Sequence, residues 1–566
     1  MMTQRTEVAA HLFLLAALCG VLYFPYLGST PFFDKGEPRE AMAVQDIVRR
    51  GEWLFPLKRA TDVPSKPPLF HWSAALSARV TGRLDEATIR FPSALYATLG
   101  VLLVYVLARK LFGGDIALLA GAILATTMVY QYQAVDARVD MTLCFFVTAS
   151  LILFYALYRG LLVQPGWYFL FYALVGIGTL AKGPLGILLP GIVIAVFLAL
   201  KKRWDLILKF AIHPGVIVTL LVVAGWYGLA ITRGGEGFFD RQLMQENLQR
   251  FFGGSGHNHP VYYYLPYLFS QGIPWCLFFL LVFWDMGRNG VLADDDRLFF
   301  VVWAAGMFVF FSIAMGKRAV YLLPLYPAIA VLTALWFYRG TSAGRAKVLL
   351  LRAIGFSFGV TGLLVLFLAI GDLWVHDPAW FFSPIERLLK PKDLANFEVV
   401  RGNIASFGWR FDALAAVSAF LWLSLGYCTW TKRLRLAAPQ LVLVSILSVF
   451  VSRGFVLPAI AETKSYREFV ADINRRIGPN DKVYLYGEFN SDPVVFYYGG
   501  VIDKLEQSAA NLAGKIGTGN AYIIMPVQSW KRIQKTNANL PEPLAVSKGT
   551  GPEGDAPLVL VRANVS

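Results

Sequence analysis

The sequence predicts a polytopic α-helical membrane protein with a small α/β domain at its C-terminal end. Three observations carry this expectation. Of 566 residues, 56% are hydrophobic and only 16% charged, with a mean hydropathy of +0.53, whereas a soluble chain of this length would build several domains with polar surfaces. The apolar residues gather into about thirteen runs approaching the ~20 residues that cross ~30 Å of hydrocarbon. From residue 456 the pattern changes to short alternating strand and helix signals. The composition excludes disordered, collagen-like and disulfide-scaffold chains. Cys19, Cys144, Cys276 and Cys428 all lie in apolar stretches and read as small packing residues. The net charge of +15 fits membrane topology and anionic phospholipid better than nucleic acid, which is not expected as a partner.

The apolar runs cover 9–28, 91–112, 115–134, 141–158, 167–182, 184–200, 210–231, 262–285, 298–315, 319–338, 353–373, 411–430 and 437–455. Around Lys182, Gly183 and Pro184 the break reads either as a short loop or as a kink in one segment. The first run follows Arg5 but is long and lacks a small-residue cleavage site, so a retained helix is expected rather than a signal peptide. A cytoplasmic N-terminus then places Arg109, Lys110, Arg159, Lys201, Lys202, Arg203, Arg288, Arg339, Arg345, Lys347, Lys432, Arg433 and Arg435 on the inside, as the positive-inside rule requires. An odd number of crossings leaves the C-terminus outside. The membrane domain is expected over 1–455, with long outer loops at 29–90, 232–261 and 374–410. An outer α/β domain is expected over 456–566, with a helix at YREFVADINRRI, strands at VYLY, VVFYY, AYIIM and LVLV, and an amphipathic SWKRIQK.

Outer loops carry the charges that need an explanation. STPFFDKGEPREAM places Asp34 and Glu37 just after the first helix, with Pro38 suited to a first helical turn. The following segment pairs Met42, Ile47 and Val48 with Arg39, Glu40, Asp46, Arg49 and Arg50, a pattern for a helix on the membrane surface. Asp34 and Glu37 serve either as helix caps or as reactive carboxylates. In DVPSKPPLFHW, prolines hold Lys66 near the interface, either as a solvated lysine or as a phosphate ligand. The short loop YQAVDARVDM crowds Asp136, Arg138 and Asp140 at a helix mouth, where unpaired charge is costly and pairing is expected. Lys182, Lys317 and Arg318 stand on the predicted outer side against the positive-inside rule. A lipid phosphate would account for them, since Arg binds phosphate through two donors and Lys acts as a point charge; a topology shifted by one helix is the alternative. The segment GGEGFFDRQLMQENLQRFFGGSGHNHP holds Arg250 in a short amphipathic helix between glycines, able to close over a substrate. His257 and His259 have metal-like spacing but lack a fixed third ligand; a divalent metal such as zinc, completed by Glu37 or another carboxylate, is a candidate there.

Taken in order, DKGEPRE, SKPPLFHW, VDARVD, TLAKGPLG, ENLQRFF with HNHP, and KRAVYLLPLYP resemble the lipid A 4-amino-4-deoxy-L-arabinose transferases, the ArnT family of GT-C membrane glycosyltransferases, over the membrane portion and the trailing domain. The resemblance implies transfer of aminoarabinose from undecaprenyl phosphate to a lipid A phosphate at the periplasmic face of the bacterial inner membrane, with polymyxin resistance as the consequence. It implies Asp34 as leading catalytic carboxylate, beside Asp136 and Glu37. Lys66, Arg138, Asp140, Lys182, Arg250, Lys317, Arg318 and Tyr321 become expected substrate contacts. No cofactor is required by this reading. Two other readings stay open: a polyprenyl-phosphate-sugar transferase with another glycan or a protein acceptor, and a lipid flippase, which would carry its charges at mid-membrane depth.

Overall fold

Each of the thirteen apolar runs contains a helix in the computed structural model, which describes residues 4–57, 62, 65–238, 240, 259–288, 294–340, 344–375, 386, 394, 397–399, 402, 409–478, 481–506, 512, 516–537, 540–552 and 557–563. The first half comprises α1 (Gln4–Tyr23), α2 (Glu37–Arg50), α3 (Leu69–Thr81), α4 (Glu86–Phe112), α5 (Gly114–Thr126), α6 (Met128–Gln133), α7 (Val139–Tyr158), α8 (Gly166–Lys182), α9 (Leu185–Leu200), α10 (Trp204–Ala211) and α11 (Val216–Phe238). There follow α12 (Tyr264–Gln271), α13 (Cys276–Arg288), α14 (Asp295–Ile313), α15 (Tyr326–Arg339), α16 (Arg345–Val375), α17 (Trp409–Trp430), α18 (Leu434–Val451) and α19 (Leu457–Lys464).

Length and apolarity alone single out fewer helices than the thirteen runs. Among the described residues nine helices are long and apolar enough to cross a membrane, or ten if α12 and α13, bent by 117°, are one span. The shortfall is α5, α8 and α9, of 13, 17 and 16 residues. At ~1.5 Å per residue these reach roughly 20 to 26 Å, short of the hydrocarbon thickness. Thr127, in extended conformation, separates α5 from α6. At the Gly-Pro break Gly183 takes φ +73, so the chain turns between two helices there. The two then pack closely: a Cβ at Gly186 would overlap the Gly178–Thr179 backbone.

Charges sort to two ends. One end joins Arg109 to Glu7 at 2.8 Å, Lys201 to Asp295 at 2.5 Å, Arg159 to Asp296 at 3.4 Å and Lys347 to Asp285 at 2.8 Å. The four cations are ones assigned to the inside. The opposite end carries the 29–90 segment, the α6–α7 loop and the C-terminal domain.

The last membrane helix, α18, continues through a π turn (Ser452–Val456) into α19, so apolar helix runs to Lys464. The α/β unit follows: α20 (Arg467–Arg476), β1 (Lys482–Leu485), α21 (Asp492–Tyr498), β2 (Asp503–Lys504), β3 (Ile516–Pro526), α22 (Val527–Thr536), β4 (Ala545–Val546) and β5 (Leu558–Ala563). Strand order is β2-β1-β3-β5-β4, with β1 parallel to β2 and β3, and β5 antiparallel to β3 and β4. The alternating faces of a strand divide its core. Ile523, Met525, Val559 and Val561 pack with Trp530 and Ile533 of α22. Ile524, Leu558 and Leu560 belong to a cluster with α20, α21 and residues of α2 and α3.

Two expectations fail here. VVFYY is helical within α21, because Asp492 and Pro493 occupy its first turn and favour helix initiation there. Helix α2 buries Glu40 and Asp46 along with Met42, Val44 and Ile47. A helix lying on a membrane surface would expose that polar face; here the C-terminal domain and α3 cover it.

Candidate active site

The α2 start is built by Asp34, whose Oδ1 accepts from the backbone N–H groups of Gly36 and Glu37, both at 2.8 Å. The capping reading is therefore correct, but it uses one oxygen. The other, Oδ2, accepts from Arg138, which comes from the loop before α7. A Cβ at position 36 would push the Arg138 guanidinium aside. Arg138 also faces Asp136, Nε to Oδ2 3.2 Å, so one guanidinium lies between two carboxylates.

Behind this layer Glu37 forms a two-donor pair with Arg90, at 2.6 and 2.7 Å, and accepts from the Ala137 backbone at 3.0 Å. Arg90 spends its remaining donor capacity on the carbonyls of Leu27 and Thr30, each at 2.8 Å. Three chain segments far apart in sequence are thereby locked together. The side chains differ sharply in access: Asp34 is 23% exposed, Glu37 6% and Asp136 5%. Glu37 thus stands as a buried support, and Asp34 is the carboxylate open to a reactant.

Burial, together with Glu37, Asp34 and Asp140 nearby, pushes Asp136 well above the usual carboxylate range against the pull of Arg138. Its Oδ2 also accepts from Gln133 at 3.2 Å. Asp136 and Asp34 in turn keep Arg138 firmly protonated. Deeper in the loop-one region, burial opposes the charge of Glu40, yet Arg39 and His71, at 2.8 and 2.9 Å, overcome it and hold its carboxyl well below the ordinary range.

Beside this cluster Lys182 pairs with Asp140 and lies 4.5 Å above the Tyr321 ring, a cation–π contact. Lys66 and Arg138 act on Asp140 electrostatically. The Tyr321 backbone bonds to Arg318, whose own N–H donates to the Tyr264 hydroxyl at 3.3 Å. Asp34, Glu37, Asp136 and Arg138 therefore form one cluster, adjoined by Asp140 with Lys182, Tyr321 and the charge of Lys66, while Arg318 is tied to Tyr321 through its backbone. Lys317 stands apart in function: it is 3% exposed and donates to the backbone carbonyls of His259, at 2.9 Å, and Ala314. Burial lowers its pKa. It is a buried brace between α14 and the segment before α12, and the expected substrate contact is corrected accordingly. Arg250 and His257 lie outside the described residues.

The family model for dolichyl-phosphate-mannose-protein mannosyltransferases matches residues 65–227. A protein of Pectobacterium atrosepticum named undecaprenyl phosphate-alpha-4-amino-4-deoxy-L-arabinose arabinosyl transferase is 28% identical, covering 73% of this chain and 72% of its own. An uncharacterized Aquifex aeolicus protein is 26% identical over 90% of this chain and 91% of its own. The crystal structure of ArnT from Cupriavidus metallidurans bound to undecaprenyl phosphate superimposes with a TM-score of 0.75 at 21% identity, over 99% of this chain and 98% of that one. The chain shares the fold of ArnT, a GT-C membrane glycosyltransferase.

The metal expectation at His257 and His259 falls partly outside the described residues, since His257 is not among them. Among the described residues the group able to hold a metal is Asp34, Glu37 and Asp136, all oxygen donors, which suit hard cations rather than zinc. Their oxygens already engage Arg90 and Arg138. His259 is outside that group and stacks on Tyr263 at 4.2 Å. No metal step is derived.

Several residues of this transferase escape a reading of the sequence. Arg90 opens an apolar run and looks like a boundary charge; its position on the outer side, against the positive-inside rule, is the signal that could have found it. Glu40, Glu86, Gln133 and Tyr497 carry no local signal, since their partners lie 31, 411, 3 and 465 residues away, and even the near Gln133 contact depends on a loop turn.

Proposed function

We propose that this glycosyltransferase moves 4-amino-4-deoxy-L-arabinose from undecaprenyl phosphate to a phosphate of lipid A, on the periplasmic face of the bacterial inner membrane, and so confers resistance to polymyxin. The observation that carries the reading is the cluster in which the accessible Asp34 bonds to Arg138, with Asp140 beside them paired to Lys182 and under the charge of Lys66. Lipid-borne phosphates and a sugar amine are matched by cations and carboxylates, respectively. The names of the relatives and the undecaprenyl phosphate in the structural neighbour support the same chemistry.

In this mechanism an oxygen of the acceptor phosphate attacks the anomeric carbon. The new C–O bond forms as the bond to undecaprenyl phosphate breaks, with inversion. The acceptor is already an anion at neutral pH, so little general-base help is required. Negative charge grows on the departing phosphate, and Lys66, Lys182, Arg318 and the expected contact Arg250 stabilise it. Asp34, fixed by two backbone N–H groups, orients the acceptor or the amine; Tyr321 sets the position of Lys182.

Mass spectrometry of lipid A from cells with and without the protein tests the substrates. Addition of aminoarabinose that vanishes in an Asp34→Asn variant of normal folding and membrane level is expected, with a loss of roughly a thousandfold in transfer. Near-normal modification by that variant would remove Asp34 from the reaction. The mannosyltransferase family match over 65–227 favours one second reading, a protein acceptor; purified protein in vesicles, offered lipid A or a Ser/Thr peptide with the same donor, separates the two.

A further inference from the structure

Tyr497 lies on α21 of the C-terminal domain, yet its hydroxyl reaches the membrane domain. It accepts from the Phe32 backbone N–H at 2.8 Å and donates to Glu86 Oε1 at 2.8 Å. Phe32 is two residues before Asp34 and fully buried. Its ring is held edge-on by Phe496 at 5.1 Å and faces the Arg90 guanidinium at 5.1 Å, the same guanidinium that grips Glu37. Glu86, 6% exposed, further pairs with Arg467 at 3.4 Å. The two units also touch through Gln45, which donates to the Phe496 backbone carbonyl at 3.1 Å, a bond that involves no atom of Phe32.

We propose that the C-terminal domain is a working part of the transferase site, with Tyr497 as a positioning residue that holds the Phe32–Asp34 segment so that the Asp34 carboxylate faces the reactants. A hydroxyl bonded on both sides, buried, sets one backbone N–H to a fixed point. From that point the chain has two residues in which to place Asp34. Without the bond, Asp34 keeps its own N–H partners but the turn that carries them shifts against Arg138 and Arg90. Such a displacement affects the reacting geometry more than ground-state binding, because reaction depends steeply on placement. Burial and Glu86 raise the Tyr497 pKa well above its ordinary value, which keeps the hydroxyl a donor at all working pH values.

This inference rests on the reading of Asp34 as catalytic, and the experiment separates the two. Full-length protein in vesicles is assayed with lipid-linked aminoarabinose and lipid A, as wild type and as Tyr497→Phe, Gln45→Ala and Asp34→Asn, with kcat normalised to folded protein. Tyr497→Phe is expected to lower kcat roughly tenfold with donor KM within about twofold, and Gln45→Ala to leave both near wild type. An unchanged kcat for Tyr497→Phe overturns the proposal, as does an equal fall in both interface variants, which would mark general packing. Should Tyr497→Phe fail to fold, Glu86→Leu, which removes the hydroxyl's acceptor, takes its place, and an unchanged kcat there is equally fatal. Activity persisting in Asp34→Asn refutes the underlying site instead.

Discussion

The two ends of the membrane domain hold charge in different ways. At the inner end each acid meets its cation and, often, a tyrosine: Asp295 has Lys201 at 2.5 Å and the Tyr158 hydroxyl at 2.9 Å, and Asp296 has Tyr155 at 2.6 Å. Glu7, paired with Arg109, remains 40% exposed. These are pairs rather than a cluster, with exposure running from 8% at Lys347 to 40% at Glu7. At the other end four carboxylates, Asp34, Glu37, Asp136 and Asp140, crowd around Arg138, Arg90 and Lys182, with Asp34 and Arg138 open to solvent and the rest buried. Asp136 consequently resists ionisation. Such crowding is the arrangement the proposed reaction centre needs, and the contrast with the paired end is what a test of that proposal can use.

The sharpest way to break this contrast is to remove one cation from each end. Arg138→Met leaves Asp34 and Asp136 facing each other and should cut transfer roughly a thousandfold, whereas Arg109→Met should leave lipid A modification unchanged; equal losses would erase the distinction. Next in size, Arg90→Met strands buried Glu37 and should destabilise by about 3 to 5 kcal/mol, seen as a melting temperature several degrees lower in detergent. A melting curve like wild type would show that the Glu37–Arg90 pair is not a support.

Proton linkage sharpens the comparison further. The folded-state pKa of Asp136 is raised, so its contribution favours the fold below its ordinary value of about 3.9 and is lost as pH rises through the folded value. Asp136→Asn should therefore melt a few degrees higher than wild type at pH 7, a rough consequence of removing an adverse buried charge, and the gain should shrink toward pH 4. A variant less stable at pH 7 would contradict this. Glu40 runs the other way. Its folded pKa is depressed, so its stabilisation is present above about pH 4.3 and fades as pH falls below it. Glu40→Gln should lower the melting temperature modestly at pH 7, with the difference narrowing in acid; a pH-independent difference would show that its bonds to Arg39 and His71 act without charge.

Much of the site was legible because charge in an apolar chain is rare. Asp34, Lys66, Asp136, Arg138, Asp140 and Lys182 each stood out as a charge needing a partner, and the structure brings them together. Lys317 stood out equally and proves to be a brace, since nothing in its neighbourhood along the chain announces the carbonyls of His259 and Ala314. VVFYY misled because β-branched and aromatic residues favour strands, while the Asp-Pro start of α21 lies outside the quoted run.

The sequence by itself determined the membrane class, the sorting of basic residues to one end and the positions of nearly all apolar helices, because hydrocarbon thickness and the cost of charge act on local stretches. Tertiary structure alone decided which helices are long enough to cross, that α2 lies under the C-terminal domain, and that Arg90 and Tyr497 stand behind Asp34. Those facts arise from contacts between segments up to 465 residues apart, and packing between distant segments leaves no periodicity along the chain.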